Sequence, residues 1–173
     1  RVMKRLAFAL VAALLLAGCS AKSSTDGSSE YSAMDTNFAE MMIPHHEQAL
    51  VMSDLALLNS TNPQILELAK EIKAAQAPEI EQMKRWGEVD TQMHMGHTMA
   101  GMLTDDEIAD LKKAMGIEFD RLFLEGMIKH HEGAIMMARM VEESKNAEVA
   151  ALAKSIIETQ KTEIEKMKDL LSK

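Results

Sequence analysis

Two stretches of this chain repeat each other, and the repeat constrains the fold more than any other feature. Phe38-Ala-Glu-Met-Met-Ile-Pro-His-His-Glu-Gln-Ala-Leu-Val-Met52 is matched, at one constant offset, by Phe123-Leu-Glu-Gly-Met-Ile-Lys-His-His-Glu-Gly-Ala-Ile-Met-Met137. Asp35 and Asp120 precede the copies at the same offset. The apolar residues recur with the period of a helix, not of a strand. Each copy is followed by a second helical stretch, so the chain reads as two helical hairpins in tandem. Neither hairpin can bury its apolar face alone, and packed together they form a four-helix bundle. The expectation is an all-α, ferritin-like four-helix bundle with a short extra helix in the central connection.

On a helix, at about 100° per residue, the repeated positions sort onto one face. With Met127 as reference, His130 lies roughly 60° to one side and His131 roughly 40° to the other. Asp120 falls in the same sector. The first copy places Asp35, Met42, His45 and His46 in the equivalent positions, with Ala49 and Ala134 leaving room beside them. Glu47 and Glu132 point about 140° away, so they are not expected to share a site with the His. The chain has six His. Four are in these pairs, and His94 and His97 sit in a Met-rich segment between the hairpins. Four inward imidazoles are hard to satisfy without a metal or carboxylate partners. The candidate metal ligands are therefore Met42, His45, His46, Met127, His130 and His131. A wider set adds Asp35, Asp120, Met52, Met137, Glu79 and Glu163, with Met93, His94, Met95, His97 and Met99 of the connection.

In chain order, residues 1–18 form a secretory signal. Lys4 and Arg5 precede an apolar run from Leu6 to Leu16 that is too short to span a bilayer as a stable helix. Leu16-Ala-Gly-Cys19 resembles a bacterial lipobox, which implies cleavage before Cys19 and a lipid on that residue. Cys19 is the single Cys, so no disulfide closes within the chain and no thiolate zinc site exists. Residues 19–33 are Ser-rich and polar and read as a flexible tether. The bundle domain is expected over 34–173, with hairpin one at 34–86, a Met/His-rich linker at 87–103, a short helix at 104–116 and hairpin two at 118–172. Thr104 and Glu107 form a capping box, and Asn62 before Pro63 marks a helix start. Pro44 predicts a kink at the first His pair or a late helix start. Glu79 and Glu163 lie on the inward stripes of the second helix of each hairpin and need a partner there, unless they snorkel to water.

The ligand types select the metal. Ferritin-like di-iron bundles use Glu-x-x-His, an oxygen-rich set. Here Met42-x-x-His45 and Met127-x-x-His130 replace that carboxylate by a thioether, which suits a soft ion such as Cu(I), while imidazole suits both copper oxidation states. Sixteen Met in 173 residues supply such ligands. Outside the cytoplasm Met also avoids the oxidation that a thiol risks. The formal charge of −8 becomes more negative once Arg1, Lys4 and Arg5 are removed with the signal. That excludes the basic footprint a nucleic-acid partner demands.

The doubled pattern Asp-x-x-Phe…Met-Ile-x-His-His-Glu-x-Ala…Met, each copy followed by Gln…Glu-Ile-Glu-x-Met-Lys, resembles the bacterial family catalogued as domain of unknown function 305. The resemblance covers nearly the whole chain after the tether. It implies a ferritin-like bundle and, for extracytoplasmic members, binding of copper or silver ions and a role in copper tolerance. It places the motif ligands at Met42, His45, His46, Met127, His130 and His131. The leading expectation is a non-enzymatic, lipid-anchored copper-binding protein at the outer face of the membrane, handing copper to or from a partner protein. Two others fit the repeat: a metal-dependent oxidoreductase, with iron or another transition metal and Glu79 and Glu163 as ligands, and a metal-free structural or partner-binding bundle.

Overall fold

The computed structural model describes residues 30–94 and 96–173, and among them there are five helices and no strand. The expected signal at 1–18, Cys19, most of the expected tether and Met95 lie outside the described residues. Helix α1 spans Ala33–Asn59 and α2 spans Pro63–Met83. The short α3 covers Asp105–Lys113. Helices α4, Gly116–Ala138, and α5, Ala147–Leu171, form the second hairpin. The expected four-helix bundle with a short helix in its central connection is the architecture found.

Local chemistry sets the helix starts. Ser32 and Asp35 form a capping box at α1, and Thr104 and Glu107 form one at α3, so both side chains of each pair satisfy otherwise orphaned N–H groups. Asn62 and Asn146 cap α2 and α5 through their side-chain oxygens. Several boundaries differ from the sequence expectation, among them the end of α3 at Lys113 rather than 116 and the start of α4 at Gly116 rather than 118. Helix α1 runs unbroken through Pro44, so the late start does not occur. Proline removes one backbone donor there, but buried Phe38, Met42 and Ile43 before it and Ala49 and Met52 after it hold both halves on the same core. Helix α4 stops at Ala138 and residues 139–143 form turns, whereas helix was expected to Ser144. Residues before 34 also pack on the bundle. Tyr31 stacks on Trp86 at 5.7 Å between ring centres, and Asn146 Nδ2 donates to the Glu30 carbonyl at 3.3 Å.

Within each hairpin the helices are neighbours, and the hairpins meet mainly along α1 and α4. These two run antiparallel, as their end-to-end ties show. Ser60, just past α1, donates to Asp120 near the start of α4 at 2.5 Å. Ser144, past α4, donates to Asp35 near the start of α1 at 2.7 Å. Each Ser Oγ also accepts the backbone N–H of an N-cap residue, Asn62 or Asn146. The repeated Asp residues are thus latches between hairpins at opposite ends of the bundle. They stand roughly 15 Å along the axis from the His pairs, at about 1.5 Å per residue. The structure does not bring them to the imidazoles.

Antiparallel packing of related hairpins gives two related apolar clusters. One holds Phe38, Met42, Ile43, Met83, Trp86 and Met137. The other holds Met52, Ile65, Phe119, Phe123, Met127 and Met167. The His residues belong to neither and lie between them along α1 and α4.

The Ser144 latch carries a testable consequence. Ser144→Ala leaves one oxygen of the buried Asp35 carboxylate without its donor, and the expected loss is about 1–3 kcal/mol. Urea unfolding of the variant would show the midpoint shift.

Candidate metal centre

Helical phase delivers the four imidazoles to mid-bundle. His45, His46, His130 and His131 are all at 0% exposure. Because α1 and α4 run antiparallel, His45 and His130 meet across the hairpin interface, with ring centres 3.7 Å apart. His130 and His131 rings are 6.4 Å apart. The two pairs therefore form one layer, with Met42 on one side of it and Met127 on the other, each buried one turn away.

Three of the four rings are oriented by an acceptor. His46 Nε2 donates to Glu79 Oε2 at 2.7 Å, and His131 Nε2 donates to Glu163 Oε2 at 2.6 Å. His45 Nε2 donates to the Ala100 carbonyl at 3.0 Å. Carboxylate and carbonyl only accept, so the proton is fixed on Nε2 in each. In the neutral ring the free lone pair is then on Nδ1. None of the four Nδ1 atoms has a hydrogen-bond partner, and neither does His130 Nε2. Of the partners the sequence left open for Glu79 and Glu163, the structure supplies imidazoles.

Electrostatics keep the central pair neutral. Burial, followed by repulsion from the neighbouring His46, lowers the His45 pKa to about 3. Burial and the adjacent His45, His131 and His46 hold His130 well below the ordinary value, with only the His45 backbone opposing. A neutral imidazole is the form that donates a lone pair to a metal. Further unpartnered buried polar atoms lie on α1, α2 and α5: Ser53 Oγ, both amide atoms of Gln76, and Gln160 Oε1.

The donor chemistry fits a soft or borderline ion. Oriented imidazoles with their second N–H on a carboxylate or carbonyl are the usual arrangement of metal-binding His. Among the described residues no three His, Cys, Asp or Glu converge as a ready-made cage. An ion held by nitrogen alone would need ring movement, whereas the thioethers of Met42 and Met127 extend the donor set.

The other sequence candidates sit elsewhere. Met52 and Met137 are buried in the apolar clusters, roughly 10 Å along the axis from the layer. His94 and His97 lie in the connection with ring centres 6.4 Å apart. Met93 there is exposed and Met99 partly buried.

Sequence reasoning missed what closes the layer. The connection lies against α4 at Gly133, where a Cβ would meet the Ala100 carbonyl oxygen at 1.9 Å. Gly101, at φ +78, faces the same stretch, and its Cβ would meet the Lys129 carbonyl at 2.3 Å. On α1, Gln48 occupies the position related to Gly133 and grips the connection by both amide atoms. It donates to the Leu103 carbonyl at 2.9 Å and accepts the Leu103 N–H at 2.8 Å. The signal was present in the sequence: a Gly in mid-helix, costing about 1 kcal/mol against Ala, where the other copy has Gln.

The sequence profile of the family described as Domain of unknown function (DUF305) matches residues 35–171. No curated protein matches the chain. A solved DUF305 protein from Streptomyces coelicolor is similar at 31% identity and TM-score 0.73, covering 80% of this chain and 92% of that one. A DUF305 fragment from Deinococcus radiodurans is similar at 32% identity and TM-score 0.71, covering 82% and 97%. CopM in a Cu(II)-bound form is similar at 35% identity and TM-score 0.69, covering 80% and 95%. CopM has also been solved with Cu(I) and with Ag bound.

Two outcomes test this geometry. His45 and His130 have depressed folded-state pKa values, so the unfolded chain takes up their protons first as pH falls. Stability should be full above about pH 6.5 and fall toward pH 3, by about 1.4 kcal/mol per pH unit from His45, with His130 adding in the same direction. Urea midpoints of the metal-free protein across that range would show the slope, and His45→Gln should reduce it. Separately, Gly133→Ala forces the connection off α4, because the clash is with backbone. A loss of about 1–3 kcal/mol is expected, with faster amide exchange at residues 100–103.

Proposed function

This chain belongs to the DUF305 family, and from that membership we propose that it binds copper ions in the mid-bundle layer and acts as an extracytoplasmic copper-buffering or copper-transfer protein. The observation that carries the proposal is the layer itself: four fully buried imidazoles on one level, with unpartnered Nδ1 atoms and a thioether on either side. The copper- and silver-bound forms of CopM, at 33–35% identity, support the choice of ion. In this reading His45, His46, His130 and His131 supply nitrogen, and Met42 and Met127 supply sulfur. Glu79, Glu163 and the Ala100 carbonyl orient three of the rings.

A bound copper ion would be held in an apolar surrounding that excludes water. The chain's own contribution is to keep the central rings neutral and to offer soft donors that favour Cu(I). Transfer to or from a copper-handling partner protein follows as the role, rather than turnover of a substrate. The basic start, the short apolar run and Leu16-Ala-Gly-Cys19 support a lipid anchor on Cys19 that keeps the bundle at the membrane face. Among the described residues no helix is long and apolar enough to cross a membrane.

The test is a Cu(I) titration of the metal-free protein against a competing chelator, repeated with Ag(I) as a redox-inert probe. Met42→Leu/Met127→Leu keeps core volume, so the fold should hold to within about 1.5 kcal/mol. Its Cu(I) affinity is expected to drop at least about tenfold, or 1.4 kcal/mol. Copper should also raise the Tm of the parent chain, because it binds only the folded state. Equal affinity in the parent and the double variant, with no shift in Tm, would remove the proposal.

A further inference from the structure

We propose a second metal site, outside the bundle core, in which Glu40, His94 and His97 bind a divalent cation of intermediate hardness such as Cu(II). It is independent of the mid-bundle layer and shares no ligand with it.

Glu40 lies on α1 and is 8% exposed, a buried carboxylate with no Lys or Arg partner among the described residues. Its Oε1 accepts the Asp90 N–H at 3.2 Å. Its Oε2 faces His94 Nε2 across 3.5 Å. That gap is long for a hydrogen bond, and His94 Nε2 is buried without a hydrogen-bond partner. A shielded carboxylate and an unpartnered imidazole nitrogen at that distance leave both poorly satisfied. A cation about 2.1 Å from each would bridge such a gap at an open angle and satisfy both.

The connection supplies the third ligand. His97 N–H donates to the His94 carbonyl at 3.1 Å, which closes a turn, and Gly96 inside it has φ +92. The turn places the two imidazoles three residues apart with ring centres 6.4 Å apart. Two rings on one ion, each with its nitrogen about 2.0–2.1 Å from the metal, have centres roughly 5–6.5 Å apart. His97 is exposed in a bend, so its ring is free to turn onto an ion held by the other two.

The internal repeat shows that this arrangement is not an ordinary property of the position. Glu125, the counterpart of Glu40, is exposed and bound to Arg121 at 2.8 Å. Only the copy covered by the connection buries its carboxylate against imidazole. The donor set, two nitrogens and a carboxylate, is harder than the imidazole and thioether set of the core. It therefore suits Cu(II) over Cu(I).

The experiment titrates the full chain with Cu(II), reading stoichiometry and the electron paramagnetic resonance spectrum. It compares the parent chain with His94→Ala/His97→Ala and with Glu40→Gln. The double variant should lose one Cu(II) equivalent, whose difference spectrum carries coupling to two imidazole nitrogens. Glu40→Gln should weaken that equivalent about tenfold or more. Met42→Leu/Met127→Leu should retain it, which separates this site from the core. An unchanged count and spectrum in both His94→Ala/His97→Ala and Glu40→Gln would overturn the proposal, as would the absence of any Cu(II) bound to the parent.

Discussion

Withdrawing four imidazoles from water at the middle of a helical bundle is unfavourable unless each stays neutral and finds a partner. His45 and His130, with ring centres 3.7 Å apart, cannot both be charged at that distance in a dry interior. Burial keeps the central pair unprotonated. Glu79, Glu163 and the Ala100 carbonyl then take up Nε2–H groups. What remains is a set of nitrogen lone pairs directed away from those acceptors, flanked by sulfur. The arrangement that buries imidazole safely is also the one that the proposed soft-ion site needs.

The apolar clusters on either side make that layer possible. They let two marginal hairpins associate, and the Ser–Asp latches at opposite ends hold α1 against α4. Asp35 and Asp120 illustrate how a helical wheel misleads. They share the angular sector of the His pairs but stand several turns away along the axis, where they join hairpins. A wheel records angle and discards height.

The connection breaks the symmetry of the repeat. It crosses one side of the layer, docks on Gly133 and is gripped by Gln48. Where it passes α1 it buries Glu40 against His94. A single insertion between two related hairpins can cover only one of two equivalent surfaces, so identical residues in the copies, Glu40 and Glu125, acquire different surroundings. The same asymmetry brings the connection's Ala100 carbonyl to His45 and no carbonyl of the connection to His130.

By itself the sequence determined the helical hairpins, the caps at Asn62 and Thr104, the pairing into a bundle and the inward face of both His-His motifs. Those follow from periodicity and local hydrogen bonding, which act over a few residues. It also placed Glu79 and Glu163 inside, without naming their partners. Tertiary structure alone decided that the two His pairs form one layer, because that depends on α1 and α4 running antiparallel at matched height. It alone carried α1 through Pro44, since burial on both sides of the proline outweighs one lost hydrogen bond. It alone placed Ala100 on His45 and Glu40 beside His94, because contacts across fifty residues depend on where the connection lies, and no local pattern encodes that path.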